Sequence, residues 1–220
     1  MPTRPAALPR WPLLVVHAGG WLPAANIAGT FWTQGWPVNP IQDLTFGTGL
    51  PALIFLMLTL AVTPVITLTG WSWLAPARRW LGLYAAAYAA AHVFIFVVVD
   101  YGLDLGLIWD AVIEKRYILA GLGAWLILLP LALTSTRGWQ KRLGRDWKRL
   151  HRGVYAAALL VVLHFVWLVK ADVREPLAYG AGVALLLLAR LPAVRAWLAG
   201  LRRRGAGGRG RPVEPPPAAE

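Results

Sequence analysis

Residues 81–99 read LGLYAAAYAAAHVFIFVVV. The run carries no charge and is close to the ~20 residues that a helix needs to cross a bilayer. Its one strongly polar side chain is His92. A second apolar run, Val154–Val169, reads VYAAALLVVLHFVWLV and holds His164 in the same way. A titratable side chain in the hydrocarbon region is costly, so we expect both imidazoles to point into the protein and to have specific partners there.

The composition of the whole chain is that of a membrane protein. The sequence is 58% hydrophobic with a mean hydropathy of +0.54, and only 15% of it is charged, against about a quarter in soluble domains. We predict an all-α integral membrane bundle, because helices and closed barrels alone satisfy the backbone in lipid. The first span is the weakest, because Pro23 and Asn26 interrupt it. About six spans are predicted, near residues 11–31, 48–68, 80–99, 117–134, 153–169 and 176–191.

The net charge of +12 is unevenly distributed. With six spans and the N-terminus inside, all but four of the 22 basic residues fall on the cytoplasmic side. Most of the acidic residues fall on the other side. This asymmetry predicts an N-in, C-in orientation, with the basic surplus touching anionic lipid heads rather than nucleic acid. The four exceptions are Lys115, Arg116, Lys170 and Arg174.

Three regions follow from this topology. Residues 1–10 are predicted to be a cytoplasmic N-terminus, 11–199 a transmembrane domain of about six helices, and 200–220 a disordered cytoplasmic tail rich in Arg, Gly and Pro. The stretches outside the spans reach roughly 20 residues, too short to bury the core of a soluble catalytic domain. The chain has no cysteine, which excludes disulfides, iron–sulfur clusters and thiolate chemistry and leaves histidine as the best metal ligand.

His92 and His164 are predicted to lie at similar depths. Counting ~1.5 Å per residue from the cytoplasmic face places His92 roughly 20 Å in and His164 roughly 24 Å in. Both then lie in the outer half, on the third and fifth spans. We favour axial ligation of one b-type heme between these two helices, the kind of site that a bundle core commonly forms. A proton path through the two residues, and a structural role for each, are the alternatives.

His17 and His151 form a looser inner pair. His151 precedes His164 by 13 residues, which is about 220° around a helix, so the two do not share a face of a straight helix. His151 either ligates a second heme, with His17 opposite, or lies at headgroup level beside Arg149 and Arg152. For His17 we favour a hydrogen bond to a carbonyl.

Several runs, in order, resemble the MsrQ (YedZ) family over about residues 11–195. They are HAGGWLP at 17–23, TGLPALIFLMLTLAVTP at 48–64, RRWLGLYAAAYAAAH at 78–92, LPLALTST at 129–136, LGRDWKRLH at 143–151 and VYAAALLVVLHFVW at 154–167. The resemblance implies a ferric-reductase-like transmembrane domain that carries heme b and FMN in the bacterial inner membrane. Such a protein passes electrons from the respiratory chain, through quinol, to a periplasmic molybdopterin-containing methionine sulfoxide reductase that repairs oxidised proteins. It would be an electron-transfer subunit rather than the catalytic one.

By matching position, His92 and His164 correspond to the heme ligands of that family, and His151 to a third implicated histidine. The wider ferric reductase group carries two histidines 13–14 residues apart on the third helix. Here Arg78 and Arg79 stand at the earlier positions. A second bis-histidine heme would therefore need His17 or another group as its ligand.

Two other functions fit the same spans. A self-sufficient ferric reductase needs a flavin and nicotinamide domain, for which the chain has no room. A proton-coupled transporter could use the histidines as a relay, and its span count and charge pattern would look the same. The colour of the purified protein separates that transporter from a heme protein.

Overall fold

The structure, a computed structural model, describes residues 11–207, and these form helices and turns with no strand among them. This confirms the predicted all-α class. Ten α-helices follow one another: α1 (Trp11–Gln34), α2 (Pro40–Thr69), α3 (Ala77–Phe94), α4 (Leu105–Glu114), α5 (Arg116–Leu133), α6 (Arg137–Leu143), α7 (Arg145–His151), α8 (Gly153–Leu168), α9 (Arg174–Leu188) and α10 (Pro192–Gly207).

Four stretches of the described chain are long and apolar enough to cross a membrane: Pro40–Thr69, Ser72–Asp100, Arg116–Leu133 and Arg145–Leu168. The pair α9 and α10 passes the same test jointly but is bent by 81°. The chain is therefore a multi-pass helical membrane protein. Its bundle is built from two closely packed pairs, α2 with α3 and α5 with α8, which meet where α3 contacts α5.

The bundle has a basic end and an acidic end. The basic end holds residues 70–76 and 134–152, where the turns and the short helices α6 and α7 carry half of the described arginines and lysines outside α10. The acidic end holds residues 101–115 and 169–173. The positive-inside rule predicts that the basic end faces the cytoplasm.

By length and apolarity the described chain has four candidate spans, or five if α9 and α10 form one bent span, against the predicted count of about six; α1 is less apolar than these spans. Pro23, Asn26 and the flanking glycines lower its hydropathy. The helix nevertheless runs along the whole bundle, with Trp11 5.2 Å from Trp73 at the basic end and Ile27 against Gly47 near the other.

Polar contacts from α3 hold α1 in place. The Tyr88 hydroxyl donates to the carbonyl of Gly20 at 2.8 Å and accepts from the amide of Ala24 at 3.1 Å. This carbonyl and this amide are the two partners of one i, i+4 position in α1, and the Tyr88 hydroxyl contacts both of them. Gly20 allows α1 and α3 to lie this close together, because a β-carbon there would overlap the ring of Tyr84, which is also on α3.

The C-terminal segment differs from the prediction. The predicted span at 176–191 ends early, at Leu188, and α10 then begins with Pro192 and continues to Gly207. Residues 200–207 are helical rather than disordered, since arginine is a good helix former and Leu198 of the same helix is buried at 9% exposure. The rest of the predicted tail, 208–220, and the predicted N-terminal region, 1–10, lie outside the described residues.

Two elements at the acidic end were not predicted. Residues Ile95–Asp100 form a π-helix that continues α3 directly after the turn that carries His92. Helix α4 follows, and its N-cap Asp104 accepts from the amides of Gly106 and Leu107. Its large apolar side chains, Trp109 among them, are exposed, as in helices that lie in a membrane interface.

An arginine that follows α9 supplies the hydrogen bond that a proline removes from α2. Pro64 has no amide proton, so the carbonyl of Leu60 loses its usual intrahelical donor. Arg190, directly after α9, donates to this carbonyl at 2.8 Å and to the Tyr155 hydroxyl at 3.0 Å. The guanidinium thus connects α9 to the proline break in α2 and to α8.

Candidate functional site

His92 is oriented by the backbone of α2. Its Nδ1 lies 3.0 Å from the carbonyl oxygen of Thr45 and 3.5 Å from the hydroxyl of Thr48. A carbonyl only accepts hydrogen bonds, so Nδ1 carries the ring proton and Nε2 keeps a free lone pair. The ring is thereby fixed in the tautomer that can ligate a metal through Nε2.

His164 is oriented in the same way by α5. Its Nδ1 lies 2.7 Å from the carbonyl oxygen of Tyr117, which again leaves the Nε2 lone pair free. Metal-ligating histidines typically donate their other ring N–H to a carbonyl or carboxylate, and this bond fixes the ring and raises its basicity. Both histidines therefore have the partner that a ligand histidine needs.

A glycine lies one helical turn beyond each accepting carbonyl. Gly49 follows Thr45 by four residues on α2, and a β-carbon on it would lie 3.0 Å from Nδ1 of His92. Gly121 follows Tyr117 by four residues on α5, where a β-carbon would lie 2.7 Å from Nδ1 of His164. The two helices thus present the same device, a carbonyl at position i and an empty β-position at i+4. The sequence reasoning missed both glycines and both carbonyls.

The two imidazoles face one another across a mostly apolar cavity of about 280 Å³. Their ring centroids are 6.1 Å apart and their planes cross at 89°. Two imidazoles that bind opposite sides of one ion, at about 2.0–2.1 Å from each nitrogen, have centroids about 6 Å apart. The spacing of His92 and His164 therefore fits a single metal ion between them.

Among the described residues, His92 and His164 are the pair of histidines that this cavity offers to a metal ion. Within residues 11–207 no group of three or more His, Asp or Glu side chains is placed to hold a metal ion. An ion bound here must obtain its remaining ligands from a non-protein group. A flat macrocycle that holds its iron equatorially and leaves two axial positions open meets this requirement.

The polar side chains of the cavity lie mainly toward the acidic end. Asp100, Tyr101, Lys115 and Tyr117 line it there, whereas aliphatic side chains such as Leu128 line it toward the centre of the bundle. The ammonium of Lys115 donates to the Tyr101 hydroxyl at 3.1 Å. The cavity thus has one polar edge and an apolar interior.

The other two predicted site residues lie elsewhere. His17 has its Nδ1 3.0 Å from the Tyr84 hydroxyl and its ring edge-on to Trp80 at 4.6 Å. His151 has its Nδ1 3.1 Å from the carbonyl of Trp147 and stacks on that indole at 3.9 Å. Neither lines the cavity of His92 and His164, and their described contacts do not join them to each other.

One nitrogen of His151 is a candidate to bind a ligand. Its Nε2 is buried and has no hydrogen-bond partner among the described residues. A buried polar atom of this kind calls for an explanation, such as a bound group or an ordered water.

The segment that carries most of these residues, 46–162, matches the family model of the ferric reductase like transmembrane component. The bundle therefore belongs to the ferric-reductase-like class, and the match includes His92 and His151 but ends just before His164. Three relatives bear the name protein-methionine-sulfoxide reductase heme-binding subunit MsrQ. Those from Xanthomonas euvesicatoria pv. vesicatoria and Xanthomonas oryzae pv. oryzae are each 43% identical over 79% of this chain and 82% of their own length. The relative from Rhodospirillum rubrum is 46% identical over 71% of this chain and 76% of its own.

The chain belongs to the MsrQ family. No solved structure matches it.

Proposed function

We propose that this chain is the heme b-binding membrane subunit of a bacterial methionine sulfoxide reductase system, in which it transfers electrons and does no substrate chemistry. Electrons would enter from quinol of the respiratory chain and leave to a periplasmic molybdopterin-containing reductase. The names of the MsrQ relatives support the heme and the reductase system. Quinol, the molybdopterin partner and the inner bacterial membrane follow from the family resemblance.

The observation that carries the heme proposal is the geometry of His92 and His164. Each has its Nδ1 on a backbone carbonyl, and the centroids of the two rings are 6.1 Å apart across one cavity. A proton relay needs side chains that gain and lose protons in turn. Here both Nδ1 atoms are committed to carbonyls of neighbouring helices, and no hydrogen bond joins the two imidazoles. This arrangement favours ligation over a relay.

His92 and His164 would hold the heme, which would supply one-electron redox chemistry. The carbonyls of Thr45 and Tyr117 would keep the proton of each neutral imidazole on Nδ1, so that Nε2 of both rings stays free to bind the iron. Gly49 and Gly121 let the rings lie close to α2 and α5. The aliphatic lining keeps water from the centre of the site, which is a recognised control on redox potential.

The site lies nearer the acidic end, which the charge distribution makes the periplasmic side. Helix α2 has 30 residues, about 45 Å in length, and Thr45 lies about 8 Å from its start at the acidic end. A redox centre at this depth is closer to a periplasmic acceptor than to the cytoplasm.

FMN is part of the proposal through the family resemblance. Its phosphate would need cations, and Arg78 lies in the first turn of α3, next to the basic end. Among the described residues this arginine forms no ion pair within 4.0 Å. A guanidinium group of this kind suits a phosphate.

The spectrum of the purified full-length protein tests the heme assignment. We expect b-type Soret and α bands that are lost or strongly altered in His92→Ala and in His164→Ala. His17→Ala is the matched control, and it should keep the bands because His17 lies outside the cavity. A colourless wild-type protein would refute the heme proposal and favour the transporter. Bands that survive in both single variants would refute the assignment of the ligands.

A second experiment tests the donor and the acceptor. The protein is placed in liposomes with a reduced quinone, and the heme bands are followed before and after a molybdopterin-containing methionine sulfoxide reductase is added outside. We expect reduction by quinol and reoxidation only when the reductase and methionine sulfoxide are both present. Reduction by reduced FMN but not by quinol would replace the proposed donor and leave the heme assignment intact.

A further inference from the structure

Lys115 is a cation at the rim of the cavity that contains His92 and His164. It lies between α4 and α5, at the acidic end, and its side chain is partly buried. The ammonium donates one hydrogen bond, to the Tyr101 hydroxyl at 3.1 Å, and lies 5.8 Å from the centre of the Tyr101 ring. A lysine ammonium has three donors, so this arrangement fixes its position and leaves donors for a further ligand.

No carboxylate of the described residues forms an ion pair with Lys115 within 4.0 Å, and neighbouring Glu114 acts on it only from a longer distance. The ion pairs within 4.0 Å among the described residues are those of Arg149 with Asp146 and of Arg174 with Asp172. Asp100 lines the same rim, and alone it would repel an anion from the cavity. Lys115 is therefore the group that can make this edge acceptable to a negatively charged ligand.

The start of α5 adds to the attraction. Tyr117 and Ile118 lie in the first turn of that helix, and both line the cavity. The N-terminus of a helix carries a partial positive charge, which favours an anion within about one turn. An ammonium and a helix N-terminus thus converge on the one polar edge of an otherwise apolar cavity.

Heme b has matching chemistry, since it carries two propionate carboxylates on one edge of an apolar ring. We propose that Lys115, positioned by Tyr101, binds a propionate of the heme and orients the heme with its carboxylate edge toward the acidic end. This inference rests on the proposed heme function. It adds a polar anchor to the two axial ligands, and it selects one of the two ways in which a heme can lie between the same pair of histidines.

The test compares heme b with its dimethyl ester, in which both propionates lack their charge. Full-length apoprotein made under heme limitation is titrated with each compound, and the ratio of the two dissociation constants is measured for wild type, Lys115→Gln and Lys115→Arg. A hydrogen bond to a charged group contributes about 1.5–3 kcal/mol. We therefore expect the ester to bind wild type about ten- to a hundredfold more weakly than heme b, and this ratio to fall toward one in Lys115→Gln.

Two further variants sharpen the comparison. Lys115→Arg should keep most of the ratio, because it keeps the charge. Lys170→Gln removes a lysine from the other acidic-end segment, outside the cavity lining, and should keep the whole ratio. The midpoint potential of the bound heme should become more negative in Lys115→Gln and stay unchanged in Lys170→Gln, because a positive charge beside the heme favours the reduced state.

Equal binding of heme b and the ester by wild type would overturn the anchor, as would an unchanged ratio in Lys115→Gln. Either result leaves the proposed function standing, because heme still binds. If wild type binds neither compound, the proposed function fails and the anchor fails with it.

Discussion

Gly121 lies against the ring of His164, one helical turn after the carbonyl to which that ring is hydrogen-bonded. A β-carbon at Gly121 would come within 2.7 Å of Nδ1, which is also the distance from Nδ1 to the carbonyl oxygen of Tyr117. The imidazole therefore fits into a position that any side chain at residue 121 would partly fill. The orientation of the ring depends on α5 as much as on α8, which carries it.

Gly121→Ala should lower the heme content several-fold, because the methyl group must push the ring of His164 away from its carbonyl and from the opposite imidazole. Gly123→Ala is the matched control on the same helix, since a β-carbon there meets Leu160 at an ordinary 3.5 Å. Heme per chain is measured by a pyridine hemochrome assay. Equal heme contents in the two variants would show that the contact of Gly121 does not matter.

Arg190→Leu should destabilise the bundle by roughly 1.5–3 kcal/mol, the typical contribution of a hydrogen bond to a charged group. Without the guanidinium of Arg190, the Leu60 carbonyl has no hydrogen-bond donor, because Pro64 has no amide proton to give it. Arg195→Leu, at an exposed position of α10, should have little effect. Unfolding in detergent, followed by circular dichroism, gives both values.

The same contact predicts a coupling between two helices. In a Pro64→Ala background the amide of residue 64 can donate to Leu60, so Arg190→Leu should cost less there than in wild type. Wild type, the two single variants Pro64→Ala and Arg190→Leu, and the double variant form a double-mutant cycle. The same cost in both backgrounds would mean that Arg190 stabilises the bundle by another route, such as its bond to Tyr155.

We expect one heme per chain, and we expect His151→Ala to leave that number unchanged. His17 is bonded to Tyr84 and lies against Trp80, so no second imidazole is placed to complete a site with His151. The buried Nε2 of His151 is the reason to measure it. A content near two that falls to one in His151→Ala would identify this nitrogen as a ligand of a second heme.

The contribution of Lys115 should be constant across neutral pH. Its hydrogen bond to Tyr101 is the main reason that the pKa of Lys115 lies above its ordinary value of 10.5, with burial opposing and the charges of Tyr101, Tyr117 and Glu114 adding to the rise. A raised lysine pKa means that the stabilisation is fully present below that ordinary value and is lost as the pH rises through the higher one. The difference in heme affinity between wild type and Lys115→Gln should therefore stay level from pH 6 to about pH 9. A difference that disappears within this range would contradict the charge-based account.

Hydropathy and charge were enough to predict the class and most of the bundle. Apolar runs are properties of single segments, so the spans that hold His92 and His164 could be located, and counting along each helix placed the two residues at one depth. The carbonyls of Thr45 and Tyr117 could not be found in this way, because they are defined by the register between neighbouring helices. A search for glycines within a turn or two of the depth of each histidine would have pointed to Gly49 and Gly121.

The other differences have similar causes. The π-helix after His92 has neither proline nor glycine to mark it, and α4 is too short and too mixed in polarity to look like a span. The helical character of 200–207 was hidden by glycine and arginine content that also suits a disordered tail. The lower apolarity of α1 was visible in Pro23 and Asn26, but its polar contacts with Tyr84 and Tyr88 depend on tertiary packing.

Those contacts bear on the order in which the protein is assembled. Helix α1 leaves the ribosome before the other helices described here, yet it lacks the apolarity of the later spans and is held by hydroxyl groups of α3. Until α3 has been synthesised, the amide of Ala24 and the carbonyl of Gly20 have no tyrosine between them. Stable residence of α1 in the membrane is thus a late event in biogenesis, and replacing Tyr88 should impair insertion of the N-terminal segment while leaving the later helices able to insert on their own.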